Sequence, residues 1–587
     1  MSYSFPRKTG IVLLFAAAVG IILFMVAPDD ITPGIYQARL TIDSPTIRVD
    51  EEYNVTVLHE GPDHYQTVHY VGDGTNATIV ARDELQILPG SRFSFVITAQ
   101  GTPLQAGQIL VQITNEAGYN QSLRTTRQSE QTFYVELQPL VQSRYAVMIL
   151  AVVAILWFTE GISLVATSLL IPVMIVMSEI HSPRVVLASF FDPAVALILG
   201  GFLIGRALSK YELDKRLALL ILFRGPGSGS SLLLTVMGVT AFLSMWISNT
   251  ASAAIMIPIA LAVISRIRNS GVRDQYAKAL VLGVAYSATV GGVGSLVGSP
   301  PNPLAASYIN SFLGIQFSFI SWLPFGFPVL LIMLPVVWRW LIYRFKLPKD
   351  IEEMQELKLV SEKELLRLGP MTAQQRLVVA VFIAVVALWL TEELPDFISV
   401  VVGWTGHGIS SSIVALIGGV TLMVLRLLDE RDVSREVGWS SILILGSGIA
   451  LGGAMIDTGV SAFLAYQMGA LGLFPPLIVI LIVGVIAVML TMVASNTGAA
   501  VILIPIAIPL AASLGIDPLL LTMVIAIAVS MDFALPTGTP PSTIAYSTGE
   551  LELGEMIRTG LVIDFIAIVV VSIAAVSLWA FLGLVVL

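Results

Sequence analysis

The tripeptide Ser-Asn-Thr occurs twice in the sequence, each time between two apolar segments. Ser, Asn and Thr are favoured helix N-cap residues, and a helix that begins at them presents backbone N–H groups without intrahelical partners. Such a helix start acts as roughly half a positive charge and binds anions. Two starts of this kind predict a site for the two ends of a small dianion. The residues are Ser248, Asn249 and Thr250 in the first triplet and Ser495, Asn496 and Thr497 in the second.

The two triplets belong to a longer internal repeat. Three further sequences recur in the same order: Leu-Ile-Leu-Gly at 197–200 and 443–446, Ile-Pro-Ile-Ala at 257–260 and 504–507, and Gly-Ser-Pro-Pro at 298–301 with Gly-Thr-Pro-Pro at 538–541. The offsets lie between 240 and 247 residues. A duplicated unit of five crossings places its two copies upside down in the membrane. This is the inverted repeat of secondary transporters, with the binding site where broken helices meet.

A second broken element follows the first triplet, from Gly291 to Asn302. Its Gly and Pro residues leave backbone carbonyls without helical partners, which is tolerated at membrane depth only where the backbone lines a cavity. Carbonyl and hydroxyl oxygens are ligands that Na⁺ takes in transporters. Neither triplet has a neighbouring Arg, Lys or His. Because helix ends only partly neutralise a dianion, the sequence favours coupling to a cation.

The composition identifies a polytopic α-helical membrane protein. Of 587 residues, 56% are hydrophobic and 12% charged, and the mean hydropathy is +0.86. Such a chain cannot cover itself with polar surface. The apolar run at 11–27 and the apolar segments from residue 144 onward together predict about eleven crossings. It also predicts two re-entrant hairpins, at 231–266 and 474–512, and broken helices at 279–312 and 518–548. The absence of Cys excludes disulfides and thiolate chemistry.

The segment between the first and second apolar runs has a different pattern. Residues 28–142 carry 14 acidic and 6 basic side chains, so −8 of the net charge of −9 lies there. Alternating runs separated by turn residues predict a small all-β domain, an Ig-like sandwich. Its sequons at Asn54, Asn76 and Asn120 are usable only in a glycosylating host. The histidines at 59, 64 and 69 are interpreted as surface residues, with a metal site as the alternative.

The sequence predicts five parts: a first transmembrane helix at 1–28, the extracytoplasmic β domain at 29–142, transporter repeat 1 at 143–343, a charged cytoplasmic linker at 344–376, and transporter repeat 2 at 377–587. A cleaved signal peptide is the alternative for the apolar run at 11–27. The distribution of Lys and Arg places the N-terminus in the cytoplasm, and residues 29–142 and the C-terminus outside. The expected location is the plasma (inner) membrane.

At these residues the chain resembles the divalent anion/sodium symporter (DASS) family, the citrate, dicarboxylate and sulfate carriers. The resemblance covers about 440 residues. The motifs that carry it are Ser244-Met-Trp-Ile-Ser-Asn-Thr-Ala251, Ala285-Tyr286 with Gly291-Gly292 through Pro301-Asn302, Trp439 with Leu445-Gly446-Ser-Gly448, Leu156-Trp-Phe-Thr-Glu160, and Leu199-Gly-Gly201 with Lys215-Arg216. The family implies a homodimer in which a scaffold carries a moving transport domain, an elevator mechanism.

The resemblance also implies roles for individual residues. The sodium ligands it implies are Ser244, Ser248, Asn249, Gly292, Gly294 and Ser295 on the first side, and Thr491, Ser495, Asn496 and Thr537 on the second. Substrate contacts would come from the two triplets, with Pro301 and Pro540 shaping the pocket.

Two positions depart from the family pattern. Ser542 follows Pro540-Pro541 where the family usually has Asn, and Asp532 stands where the family usually has a small or apolar residue. An intramembrane carboxylate is a functional candidate. Asp532 is therefore interpreted either as a coupling carboxylate that binds a proton or cation, or as the partner of a polar neighbour.

These observations predict a secondary transporter that couples Na⁺ to the movement of small divalent anions, C4-dicarboxylates or citrate. It would need no cofactor besides Na⁺ and would bind no nucleic acid. An enzyme is excluded because the membrane part has no nucleophile–base pair or metal cluster. The alternatives are a Na⁺-independent dicarboxylate exchanger, a sulfate carrier, or a membrane sensor that reads a ligand through the β domain. The sequence does not identify a ligand of that domain.

Overall fold

The computed structural model describes most of the chain outside the segment that precedes residue 141. The described residues are 7–26, 34–43, 48–57, 77–80, 92–99, 109–115, 120–129, 132–136, 141–224, 228–348, 362–394, 399 and 403–585. The three histidines at 59, 64 and 69 and the sequon Asn76 lie outside them. Part of the charged linker, residues 349–361, also lies outside them.

The described chain after residue 140 is helical. The helices before the linker are α1 (Arg7–Val26), α2 (Val141–Thr159), α3 (Leu164–Met177), α4 (Pro183–Ala188), α5 (Pro193–Lys210), α6 (Leu213–Arg224), α7 (Gly229–Ser244), α8 (Asn249–Ile264), α9 (Ser270–Val293), α10 (Pro301–Phe312) and α11 (Phe319–Phe345). Those after it are α12 (Ala373–Leu390), α13 (Ser411–Val424), α14 (Glu430–Glu436), α15 (Trp439–Asp457), α16 (Val460–Gln467), α17 (Pro476–Val493), α18 (Asn496–Ser513), α19 (Pro518–Ala528), α20 (Pro540–Ser547) and α21 (Leu553–Ile573).

The chain divides into two compact units that are both discontinuous in sequence. The first unit comprises Met1–Val186, Ala450–Leu473 and Pro505–Pro518. In it the hydroxyl of Ser143 on α2 donates to the carbonyl of Thr458, 2.6 Å away. The second unit comprises Leu187–Ile449, Phe474–Ile504 and Leu519–Leu587. Both triplets and both breaks that follow them lie in the second unit.

Each of the four long apolar segments in the repeats is divided into two helices. The breaks fall at residues 245–248, 294–300, 494–495 and 529–539. The first helix pair begins at a capping box formed by Ser228 and Ser231, which satisfies N–H groups at the start of α7. The two short breaks contain the serines of the triplets, and the two long breaks contain Gly and Pro. The prediction that the helix pairs at 231–266 and 474–512 enter and leave the membrane at the same face, as re-entrant hairpins, stays a prediction.

The predicted number of crossings is too high for the described helices. Nine of them are long and apolar enough to span a membrane. Six further apolar helices are shorter, with 10–17 residues: Thr9–Met25, Leu164–Met177, Gly229–Ser244, Asn249–Ile264, Ser411–Val424 and Pro518–Ala528. A bilayer crossing takes about 20 residues of helix. The predicted crossings at 162–179, 408–427 and 518–548 therefore contain described helices shorter than this, Leu164–Met177, Ser411–Val424 and Pro518–Ala528.

The prediction of an Ig-like all-β ectodomain is wrong. The strands described between α1 and α2 are β1 (Gly34–Asp43), β2 (Arg48–Val57), β3 (Ala77–Val80), β4 (Arg92–Ala99), β5 (Ile109–Asn115), β6 (Asn120–Ser129) and β7 (Thr132–Glu136). They form one antiparallel sheet in the order β2-β1-β5-β6-β7-β4-β3. β6 pairs with β5 through its first half and with β7 through its second half. An Ig-like fold needs two separate facing sheets. Here β6 pairs with both β5 and β7, so the described strands form one continuous sheet instead.

Close helix packing in the second unit depends on glycine. A Cβ atom at Gly200 of α5 would lie 2.5 Å from the Cβ and 2.6 Å from the carbonyl oxygen of Ala415 on α13. No real Cβ contact is that short, so the two backbones approach closely only because residue 200 has no side chain. Small residues at helix contacts are typical of membrane proteins, where close packing supplies much of the association energy.

The substitution Gly200→Ala is expected to destabilise the protein by about 1–3 kcal/mol, the usual effect of overpacking. Gly238→Ala in α7 is the matched control, because no described atom outside its own helix lies within 4 Å of a Cβ at that position. At such an open helical site, alanine is expected to stabilise by up to about 1 kcal/mol. Thermal unfolding of the purified variants measures both effects. Equal behaviour of the two variants would contradict the close approach of α5 and α13.

Candidate functional site

Both triplets begin a helix in the same way. The hydroxyl of Ser248 accepts a hydrogen bond from the backbone N–H of Ala251, at 3.2 Å. The hydroxyl of Ser495 accepts one from the N–H of Gly498, at 3.1 Å. Each serine thus caps the residue three positions ahead of it, which is the usual N-cap pattern. The starts of α8 and α18 therefore carry the orphan N–H groups and the partial positive charge of a helix N-terminus.

Hydrogen bonds of Ser244 and Asn249 connect the first triplet to α9, the helix that precedes the break at 294–300. The Ser244 hydroxyl donates to the carbonyl of Ala288 on α9, at 2.6 Å. The side-chain amide of Asn249, oriented by its hydrogen bonds, donates to the Ser244 hydroxyl at 2.6 Å and to the carbonyls of Ala288 and Gly298 at 3.2 and 3.1 Å. We call Ser244, Asn249 and the Ala288 carbonyl the first frame.

The second triplet has an equivalent set of contacts. The Thr491 hydroxyl lies 2.8 Å from the carbonyl of Val529 and 2.8 Å from the side-chain oxygen of Asn496. Thr491 and Asn496 are both 247 positions after their counterparts in the first frame. Thr491, Asn496 and the Val529 carbonyl form the second frame. The repeat therefore extends from sequence motifs to the same three neighbouring groups, a hydroxyl, an amide and a carbonyl, with the amide nitrogen next to the hydroxyl in the first frame and the amide oxygen in the second.

Asn302 holds the first long break together. Its amide nitrogen donates to the carbonyls of Gly292 and Ser295, at 2.9 and 2.7 Å, and the Ser295 hydroxyl donates to the carbonyl of Met245. The oxygen of the Asn302 amide is buried without a hydrogen-bond partner among the described residues. One side chain thus satisfies two carbonyls that the helix break leaves free.

The second long break is held differently. At the position of Asn302 stands Ser542, and the Thr539 hydroxyl donates to its hydroxyl at 2.9 Å. Gly538 packs directly against Asp532, since a Cβ at residue 538 would overlap the Oδ2 atom. Of the two departures from the family pattern, Asp532 therefore lies in this break and Ser542 in the first turn of the helix that follows it. The two breaks meet through the hydroxyls of Ser299 and Ser530, which are 3.3 Å apart.

The predicted site residues differ in accessibility. Exposed or partly exposed are Ser248, Asn249, Thr250, Ser495, Asn496, Thr537 and Pro540; buried are Ser244, Gly292, Gly294, Ser295, Pro301, Thr491, Thr497 and Asp532. The structure joins each triplet to its own broken helix and the two broken helices to each other. Asn249 and Asn496 each belong to a triplet and to a frame, so partly exposed triplet residues contact the buried Ser244 and Thr491.

Sequence reasoning missed several groups of this region. The carbonyls of Ala288 and Val529 carry no side-chain signal that could have identified them. Asp564 and Tyr286 are different, because both lie in apolar segments where a polar group is a functional candidate. Asp564 could have been found by the rule that identified Asp532.

A cavity of about 420 Å³ lies elsewhere in the second unit. Its lining includes Asn310, Glu392 and Ser411 and none of the predicted site residues. Burial raises the pKa of Glu392, and a hydrogen bond from Ser411 opposes that shift. This cavity is therefore separate from the two frames.

Removing the Thr491 hydroxyl is expected to destabilise the second frame. Thr491→Val keeps the volume but leaves the Val529 carbonyl and the Asn496 amide without a partner, a loss of about 1–3 kcal/mol. The control is Thr240→Val, because Thr240 is equally buried but its hydroxyl bonds only to Val236 of its own helix, at 2.7 Å. Thermal unfolding compares the two, and a loss as large in the control as in Thr491→Val would contradict the role of the frame.

Comparisons with known proteins identify the family of the chain. The family model described as "Sodium:sulfate symporter transmembrane region" matches residues 137–585. An uncharacterized transporter of Haemophilus influenzae is 33% identical over 440 residues, covering 73% of this chain and 91% of that protein. The sodium-dependent dicarboxylate transporter SdcS of Staphylococcus saprophyticus is 31% identical over 449 residues, covering 74% and 86%. The solved YdaH transporter of Alcanivorax borkumensis aligns with a TM-score of 0.43 at 14% identity, covering 68% and 87%.

The family match begins at residue 137, so it gives no support to an added extracytoplasmic β domain. It extends from α2 to the end of the described chain and includes both triplets, both frames and both long breaks. The relatives are transporters rather than enzymes, as the sequence predicts. The chain is a multi-pass membrane protein that belongs to the sodium:sulfate symporter family, the family that the sequence resembles.

Proposed function

We propose that this chain couples Na⁺ to the transport of small divalent anions, with C4-dicarboxylates as the substrate class. The observation that carries the proposal is the duplicated frame of hydroxyl, amide and carbonyl, built from Ser244 and Asn249 in one repeat and from Thr491 and Asn496 in the other. Relatives at 31% identity that are named sodium-dependent dicarboxylate transporters support the same choice of ion and substrate.

The oxygens of the frames suit a hard monovalent cation. Hard cations take hydroxyl, amide and carbonyl oxygens rather than nitrogen or sulfur ligands. Beside the first frame, the buried amide oxygen of Asn302 has no hydrogen-bond partner among the described residues. A free oxygen next to the carbonyls of Gly292 and Ser295 supports cation binding at this break, because a cation satisfies several such oxygens at once. Na⁺ would be held by Ser244, Asn249 and nearby carbonyls on the first side, and by Thr491, Asn496 and carbonyls near Thr537 on the second.

The charge of the substrate region supports coupling. Residues 228–264, 279–337 and 474–557 contain no Lys, Arg or His. A dianion between the starts of α8 and α18 would therefore meet two partial positive charges and no basic side chain. Bound Na⁺ supplies the remaining positive charge, so substrate and ion bind more strongly together than apart.

The proposal includes the architecture that the family resemblance implies. The repeats at 143–343 and 377–587 would be inverted copies around one substrate site. The second unit contains both triplets, and it would hold the moving part of an elevator in a homodimer. The N-terminus would lie in the cytoplasm and the C-terminus outside, and the charged linker at 344–376 would be cytoplasmic.

Uptake into proteoliposomes tests the function directly. Labelled succinate is expected to accumulate under an inward Na⁺ gradient and not when choline replaces Na⁺. Citrate and sulfate, tested beside it, define the substrate class. Equal uptake in choline and in Na⁺ would contradict coupling and favour a Na⁺-independent exchanger, whereas accumulation of sulfate alone would identify a sulfate carrier.

Substrate-free Na⁺ binding is expected to stabilise the protein against heat. A ligand at 100 times its dissociation constant adds about 2.7 kcal/mol to stability. Thr491→Val is expected to raise the Na⁺ concentration needed for half-maximal stabilisation by about tenfold, since tenfold corresponds to about 1.4 kcal/mol. Thr240→Val is the control, and K⁺ at the same ionic strength corrects for screening. Stabilisation that is equal in Na⁺ and K⁺ would contradict a specific sodium site.

A further inference from the structure

Three polar side chains are buried side by side at the second long break. Asp532 lies in the break, Asp564 on α21 and Tyr286 on α9. Their exposed fractions are 0%, 3% and 0%. Asp532 directly precedes Phe533, whose backbone N–H donates to Asp564 and whose ring contacts the ring of Tyr286. We call these three residues the carboxylate cluster.

Phe533 fixes the position of the cluster. Its backbone N–H donates to Oδ1 of Asp564, at 2.8 Å. Its carbonyl lies against Gly560, one helical turn before Asp564, where a side chain would overlap it. Its ring contacts the ring of Tyr286 at 5.1 Å between centroids and 74° between planes. The break, α9 and α21 are therefore packed together at this point, with Asp532 next to Phe533.

Most oxygens of the cluster lack a hydrogen-bond partner among the described residues. They are both carboxylate oxygens of Asp532, Oδ2 of Asp564 and the hydroxyl of Tyr286, although the N–H groups of Ala534 and Leu535 lie near Asp532. A buried ionised carboxylate without a partner is strongly unfavourable, and two of them also repel each other. The cluster therefore needs a positive partner.

The described surroundings supply no such partner from the protein. Among the described residues of the break, α9 and α21, the titratable groups next to the cluster are its own three members. Of the other helices packed on α9 or α21, α7, α8 and α17 contain no titratable side chain, α20 has only the exposed Tyr546, and α11 has Arg339, Tyr343 and Arg344 in its last two turns. Lys278 of α9 and Glu555 of α21 pair with each other at 2.9 Å, about 12 Å from Tyr286 along α9 at a rise of 1.5 Å per residue. Arg558 of α21 is exposed. The positive partner must come from solution.

A proton fits this position better than a metal ion. Hard metal ions gather several oxygen ligands around them, whereas the cluster offers only carboxylate oxygens and one hydroxyl, and Oδ1 of Asp564 already accepts a hydrogen bond from Phe533. A proton needs only one carboxylate oxygen. Two close buried carboxylates hold one proton between them because both cannot be ionised together.

We propose that Asp532 and Asp564 form a proton-binding site and that its occupancy makes transport depend on pH. This proposal rests on the proposed transport function. Asp532 replaces the small residue that the family usually has, and Ser542, which replaces Asn, lies in the first turn of the helix after the same break. The first break is held by a neutral amide, whereas the second contains a group that can exchange a proton with water when the break moves. The proton leaves a carboxyl oxygen for water and returns from water, so no other reactant is needed.

Infrared difference spectroscopy between acidic and alkaline buffer tests the site without substrate or transport. The full-length protein in lipid is expected to show the carboxyl C=O band of a protonated buried acid. Asp532→Asn and Asp564→Asn are each expected to lose that band. Glu552→Gln, at the exposed start of α21, removes one carboxylate from the same helix and is expected to keep it. A band that is unchanged in both Asp variants would overturn the proposal.

Uptake measurements then test the link to transport. Succinate uptake by the original protein and by Glu552→Gln is expected to change with pH, and uptake by Asp532→Asn is expected to lose that dependence. Uptake that is equally pH-dependent in Asp532→Asn would overturn the proposal, as would loss of Na⁺ binding in this variant without a change in the infrared band. Failure of all succinate uptake would contradict the proposed function alone, because the infrared band is measured independently.

Discussion

A helix break in a membrane protein leaves carbonyl and N–H groups that lipid cannot satisfy. In this chain the breaks at 294–300 and 529–539 bring such groups into the interior of the second unit. Side chains satisfy these groups: the amides of Asn249 and Asn302 donate to the carbonyls of Gly298, Gly292 and Ser295 in and beside the first break, and Thr491 contacts the carbonyl of Val529 in the second. Carbonyls of this kind are also groups that a hard cation would bind, so the breaks and the proposed ion sites share one set of groups.

The proposed anion site depends on the frames because the asparagine of each triplet is also a member of a frame. Asn249 begins α8 and belongs to the first frame, and Asn496 begins α18 and belongs to the second. A shift in the position of either asparagine therefore also moves the start of the helix that begins there. This continuity gives a physical reason for coupling: an ion that fixes the asparagine also fixes the N–H groups that would face the anion.

Much of this site could be predicted from the sequence because it is encoded in residue types at fixed offsets. The triplets, Gly298 and Gly538 identify the repeat and the breaks, and the helices end where those residues stand. The partner carbonyls could not be predicted, since Ala288 and Val529 contribute only backbone. The alternating residues at 34–136 predicted strands but not how those strands divide between sheets. β6 pairs with a neighbour on each side, and so the seven described strands form one sheet. The number of crossings was overestimated because hydropathy does not show where a short helix ends.

The central claim is that each frame binds Na⁺ and that the two sites are distinct. Equilibrium binding of radioactive Na⁺ to the purified protein, without substrate, measures this most directly. Ser244→Ala is expected to remove one class of sodium sites and leave the other, Thr491→Val is expected to remove the complementary class, and the double variant is expected to bind no Na⁺ specifically. Unchanged Na⁺ binding in the folded double variant would contradict the account.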